Sequence, residues 1–219
     1  MTLADRLRSI QGKIDKLGKD NSLSYKTPLI LGASKGQGLA IIEEAIAAGL
    51  TYFGENRVQE AYEKWPEIKK KHPHIQLHLI GPLQSNKVKP ALELFDVIQT
   101  LDRPKLADEI AKQYTSGGSK QFFIQVNIGD EPQKSGISPK DAERFIDYCL
   151  KTLGLPVVGL MCVPPAEQAP APHFALLKKI AGNHGLNQLS MGMSNDYETA
   201  IRMGSSCVRI GTALFGERL

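Results

Sequence analysis

Cysteine is scarce in this sequence, and the three that occur, Cys149, Cys162 and Cys207, stand too far apart for the C-x-x-C pair of a zinc or redox site. An odd number at that density also excludes the disulfide framework of a small secreted domain, so buried, reduced thiols are expected. Long apolar runs are missing too. No stretch approaches the ~20 residues of a membrane-spanning helix, and the first residues, with Asp5, Arg6 and Arg8, lack the apolar centre of a secretory signal. A cytoplasmic protein with no membrane partner is the expectation. Charge of one sign is not concentrated either: 27 Lys and Arg lie among 23 Asp and Glu, for a net +4, which leaves no basic arm or stripe for nucleic acid. The densest basic run, Lys69 to Lys71, falls at the end of a predicted helix, where cations complement the helix dipole and are expected to face water. His72, His74, His78, His173 and His184 show no metal spacing beyond a short His72-Pro73-His74, so surface or core roles are expected for them and no metal site.

What the sequence does contain is periodicity. Apolar residues make up 42% of its 219 positions, enough for a sizeable core. Leu3, Leu7, Ile10, Ile14 and Leu17 recur at helical steps, and Thr2 with Asp5 resembles a capping box. Residues 1–20 therefore read as an amphipathic helix ahead of the main fold. After a polar stretch from Gly18 to Thr27, short apolar or β-branched runs alternate with helical patterns. The strand candidates are Leu29–Ala33, Thr51–Phe53, Gln76–Ile80, Asp96–Thr100, Phe122–Asn127, Val157–Met161, Asn187–Leu189 and Cys207–Ile210. Helical patterns cover Leu39–Ala48, Arg57–Lys70, Pro104–Tyr114, Pro139–Thr152, His173–His184 and Asp196–Met203. Strict βα alternation calls for a parallel sheet, and eight units in this length predict a closed (β/α)8 TIM barrel rather than an open doubly wound sheet. No domain boundary is visible, so residues 1–219 are expected to form one domain. Ser116–Ser119 and Pro164–Pro172 read as loops, the second being either a mobile rim loop or a tolerated insertion.

Chemistry-bearing residues cluster where strands should end. Lys35 closes the first run; at the catalytic rim of a barrel a desolvated amine can attack a carbonyl, and the alternative is a rim lysine that merely snorkels to water. Gly36-Gln37-Gly38 lacks the third glycine of a dinucleotide loop and the Lys-Ser or Lys-Thr pair of a P-loop, and is read as a turn. Ser190-Met191-Gly192-Met193-Ser194-Asn195-Asp196 and Arg209-Ile210-Gly211-Thr212 follow or close runs seven and eight, where barrels commonly hold phosphate. Ser194 and Thr212 offer hydroxyls and Gly211 a close backbone, although Ser194–Asp196 also reads as an ordinary helix cap. Arg209 carries a donor fork that requires an acceptor, either a ligand or a structural carboxylate. Gly54-Glu55-Asn56, Gly81–Lys87 and Lys134-Ser135-Gly136 line the mouth or form turns.

Assembled, these segments resemble the pyridoxal phosphate homeostasis protein family, single-domain relatives of the N-terminal barrel of alanine racemase, from Leu29 to Arg218. The most specific stretches are Phe53–Glu60, Ile80–Lys87, Leu189–Asp196 and Val208–Gly216. The resemblance implies a TIM barrel of the alanine racemase N-terminal type, with pyridoxal 5′-phosphate (PLP) bound as a Schiff base on Lys35. It implies that Ser194, Gly211 and Thr212 hold the phosphate, that Arg209 faces the pyridine nitrogen and that Asn56 lies near the ring. One departure stands out: the family usually follows its lysine with Thr, a polar residue and Pro, where this sequence has Gly36-Gln37-Gly38, and the extra freedom is expected to loosen cofactor binding. A permanently cationic Arg209 disfavours protonation of the pyridine, on which carbanion chemistry depends, so the implied role is PLP homeostasis by carriage and release, with PLP-dependent apo-enzymes as recipients. An amino-acid racemase is the first alternative, weakened because alanine racemase relatives draw a second acid/base from an additional β-domain while this sequence stops just past the barrel. A Schiff-base lyase of the aldolase type and a phosphate-binding barrel without covalent chemistry are the others. Lack of the dimer-forming second domain points to a monomer.

Overall fold

In the computed structural model, which describes residues 1–20, 27–114 and 118–217, eight parallel strands pair in sequence order and close on themselves. They are β1 (Leu29–Ala33), β2 (Tyr52–Glu55), β3 (Gln76–Leu79), β4 (Val97–Leu101), β5 (Gln121–Val126), β6 (Val157–Cys162), β7 (Gln188–Met193) and β8 (Cys207–Ile210). Parallel neighbours require long crossovers, and the helices that supply them cover the sheet's outer face, so strands are buried on both sides and read as apolar runs. All five residues of β4 are buried. Closure is made by β1 on β8, with Leu29 opposite Cys207 and Leu31 opposite Arg209.

The crossovers are α2 (Leu39–Ala47), α3 (Val58–Lys71), α4 (Val88–Leu94), α5 (Pro104–Gln113), α6 (Pro139–Asp147), α7 (Pro170–Asn183) and α8 (Tyr197–Arg202), with a short α9 (Thr212–Phe215) after β8. The expected strands are all present, β1 and β8 with the expected bounds and the other six displaced at one end or both; β7 runs on to Met193, well past the expected Leu189. α4 and α9 were not expected. α4 has only seven residues and contains Pro90 in its first turn, where a missing N–H is harmless because the first N–H groups of a helix lack intrahelical partners anyway. α7 starts at Pro170 rather than His173, since proline suits the first helical position, so the Pro-rich loop is shorter than expected. The expected loop at Ser116–Ser119 lies partly outside the described residues.

The N-terminal helix α1 (Leu3–Asp20) begins with the expected reciprocal cap: Thr2 N donates to Asp5 Oδ2 at 3.0 Å and Asp5 N to Thr2 Oγ1 at 3.1 Å. Leu3, Ile10, Ile14 and Leu17 are buried, and Arg6 Nε donates to the Leu214 carbonyl at 2.6 Å, which ties α1 to the end of the barrel. Lys69 corrects the expectation of a solvated basic run. It reaches from α3 to Asp96 at 2.7 Å, because α3 packs against α4, whose last carbonyl, Leu94, it also bonds, while Lys71 pairs with Glu43. The three cysteines are buried and unpaired, and burial pushes the thiols of Cys149 and Cys162 up to about 12. Among the described residues no helix is long and apolar enough to cross a membrane.

Candidate functional site

All six residues singled out in the sequence stand at the C-terminal ends of β7, β8, β1 and β2, four strands that are consecutive around the barrel. Lys35 lies in the turn two residues past β1, half-buried, and its amine makes no hydrogen bond or ion pair among the described residues. β1 beside β8 brings Gly211 next to Ala33: a Cβ on Gly211 would stand 3.7 Å from the Ala33 Cβ. The turn after β7 meets the turn after β8 through the Ser194 hydroxyl, which accepts from Ala213 N at 3.3 Å; Ser194 and Gly211 are half-buried and Thr212 is exposed. Ser194 is not the cap of α8. Asp196 occupies that position, and its carboxylate accepts from Met193 N at 2.6 Å, tightening the turn.

Asn56 follows β2, and its place is set by backbone packing. Gly81, just after β3, lies so close that a Cβ there would be 2.2 Å from the Asn56 carbonyl oxygen, so only glycine fits. Lys134 is not part of this cluster. It sits between β5 and α6, pairing with Glu131 and donating to the Pro164 carbonyl at 3.2 Å, because its loop rises on the opposite arc of the barrel.

Arg209 is the deepest of the six, 4% exposed. Its fork donates to Ser190 Oγ and to the Cys162 carbonyl, each at 2.7 Å, and no carboxylate lies within ion-pairing distance of it among the described residues. The structural ion pair left open by the sequence is therefore not what holds it. Burial pulls its pKa down from the ordinary guanidinium value, but that value is so high that the group stays charged at neutral pH.

Behind Arg209 runs a chain of neutral groups that sequence reasoning did not find. Arginine can only donate, so Ser190 Oγ accepts from it and spends its own proton on Gln99 Oε1 at 2.6 Å. Gln99 then presents its amide nitrogen to His78 Nδ1 at 2.9 Å, which fixes that ring nitrogen as the acceptor and puts the ring proton on Nε2. Burial pulls the His78 pKa down to about 4, against an upward pull from Asp96, so the ring is neutral at pH 7. Gln99, polar within the apolar run Val97–Leu101, was the one available signal. A second cluster, Glu55, Glu60 and Lys64, joins β2 to α3, and the four-residue spacing of Glu60 and Lys64 was its only trace in the sequence.

Residues 32–219 match the family model of the alanine racemase N-terminal domain. Over 229 aligned residues the chain is 39% identical to the pyridoxal phosphate homeostasis protein of Haemophilus influenzae, covering 100% of this chain and 97% of that one. The chain belongs to the pyridoxal phosphate homeostasis protein family. Within solved structures, PipY of Synechococcus elongatus with PLP bound matches at a TM-score of 0.83 and 31% identity, over 98% of this chain and 100% of that chain. An alanine racemase of Clostridium difficile matches at a TM-score of 0.74 and 15% identity, a likeness of fold alone that covers 97% of this chain and 57% of the racemase. The stretches Phe53–Glu60, Ile80–Lys87, Leu189–Asp196 and Val208–Gly216 place Asn56, Gly81, Ser194 and Arg209 at the C-terminal ends of β2, β3, β7 and β8.

Proposed function

We propose that this protein binds PLP at the barrel mouth as a Schiff base on Lys35 and serves intracellular PLP homeostasis as a carrier or regulator with little or no catalysis. The observation that carries this reading is the Arg209 guanidinium, ion-paired to no carboxylate among the described residues and held by neutral groups beneath the turns that contain Lys35, Ser194, Gly211 and Thr212. A flat aldehyde-bearing ring with an anionic tail matches that set of groups. Lys35 would hold the cofactor through its Nζ, which as a neutral amine is the nucleophile that an aldehyde requires. Ser194, Gly211 and Thr212 would hold the phosphate, and Asn56 would lie beside the ring. When bound, PLP supplies an electron sink whose strength depends on a protonated pyridine nitrogen. Arg209, donor-only and charged, opposes that protonation and so favours holding the cofactor over amino-acid chemistry.

The PLP-bound PipY and the relatives named pyridoxal phosphate homeostasis protein support the assignment. On this reading the chain works as a single domain, a cytoplasmic monomer that passes PLP to apo-enzymes requiring it. An absorption spectrum of the PLP-loaded protein before and after borohydride reduction, followed by peptide mapping, tests ligand, bond and residue together. The expected result is a visible band that reduction removes, with the adduct on Lys35. A colourless protein, or an adduct on another lysine, overturns the assignment. Rapid α-proton exchange on L-alanine would replace the carrier with a racemase.

A further inference from the structure

Two of the three residues after Lys35 are glycines, so the local sequence does little to aim the amine. Gly36 sits at φ +70°, the left-handed region, and Gly38 has open space around it where a Cβ would be. The turn is nevertheless tied on both sides of Lys35 to one ionic cluster. Gly36 N donates to Glu60 Oε1 at 2.7 Å, and Lys64 Nζ holds the same oxygen at 2.9 Å. Lys64 also bonds Glu55 Oε1 at 2.9 Å, and that oxygen takes the Ser34 hydroxyl at 2.8 Å and Trp65 Nε1 at 3.0 Å. The Lys64 ammonium is 3.5 Å from both the Ser34 and Gln37 carbonyls. Glu55 is fully buried, and its second oxygen has no partner among the described residues, a costly arrangement in a place where strand-to-helix packing alone would accept an apolar side chain.

We infer that Glu55, Lys64 and Glu60 are positioning residues for Lys35: the cluster supplies through tertiary bonds the stiffness that the sequence lacks after the lysine, and thereby sets the affinity for an aldehyde ligand. The inference rests on the Schiff-base reading of Lys35. Burial raises the Glu60 pKa, but the Lys64 ammonium and the Gly36 N–H outweigh it and hold the carboxyl below its ordinary value, so the bond to Gly36 is charge-assisted at neutral pH. Gly38 offers a rescue. Its φ of −76° suits proline, and its N–H enters no hydrogen bond among the described residues.

The test uses the full chain and PLP itself. Glu60→Ala leaves the Lys64–Glu55 pair in place and puts a good helix former in the first turn of α3, with Glu60→Gln as a second variant. Loss of a charged hydrogen bond predicts an apparent Kd for PLP, read from the visible band, about tenfold or more above the wild type. It also predicts faster deuterium exchange at the Gly36 amide in cofactor-free protein. Adding Gly38→Pro to Glu60→Ala should bring the Kd back to within about threefold. Thr2→Ala, a remote destabilising control, should leave the Kd unchanged. Wild-type Kd and wild-type Gly36 exchange in both Glu60 variants would overturn the inference, as would failure of Gly38→Pro to restore any affinity. Failure of the underlying reading looks different: Lys35→Ala would then keep the visible band, whatever the Glu60 variants do.

Discussion

Acid should weaken this fold through the His78 ring as well as through its carboxylates. An unfolded histidine binds its proton near 6.5, whereas His78 in the folded barrel takes none until about 4. Between those values the unfolded chain holds more protons than the native one, so stability rises with pH: the contribution is complete above 6.5 and drains away as pH falls toward 4. A gap of about 2.5 units at 1.36 kcal/mol each amounts to roughly 3 kcal/mol, of which some 2–3 kcal/mol is lost by pH 4.5. The structural cause is visible in the chain from Arg209. Protonated His78 can no longer accept from Gln99; the amide must turn over, and Ser190 loses the acceptor that lets it face Arg209. Urea unfolding of the wild type and of His78→Asn, measured from pH 7 to 4.5, checks the magnitude. Asparagine keeps an acceptor for Gln99 but does not titrate, and the carboxylates with lowered pKa values, Asp5, Glu43, Glu60 and Asp147, act equally in both proteins. The variant curve should be flatter by about 2–3 kcal/mol. Parallel curves, or an imidazole that titrates near 6.5 by NMR in the folded protein, would refute the reasoning.

Gly81→Ala should destabilise by about 1–3 kcal/mol, because its Cβ would press on the Asn56 backbone rather than on a side chain that can swing away, and PLP affinity should fall with it; thermal unfolding and a PLP titration read the two effects. Replacing Gln99 by Leu strips His78 Nδ1 and the Ser190 hydroxyl of their partners inside the core and should cost about 2–4 kcal/mol, seen as a reduced urea midpoint. Arg209→Met removes a buried charge that no ion pair holds; PLP should bind roughly 10–100-fold more weakly by equilibrium dialysis, and unchanged binding would exclude Arg209 from the site.

Local pattern carried most of the architecture. Eight apolar runs separated by helical periods specify a parallel sheet, and the reciprocal Thr2–Asp5 cap and the lysine after Leu29–Ala33 are short-range features that neighbouring residues determine by themselves. A short element was not legible this way, since α4 hides behind Pro90; the helical pattern Pro139–Thr152 was, although its last turn, Tyr148–Thr152, winds as a π-helix. The polar wiring of the site was illegible for a different reason. Ser190 meets Gln99 across 91 residues of sequence, and Glu60 meets Gly36 across 24, so each bond exists only once the barrel has closed and the strand register has chosen which side chains face one another. Periodicity says which face of an element is buried. Only closure decides which buried donor finds which acceptor, and here that choice leaves Arg209 held by neutral groups and ties the turn of Lys35 to α3.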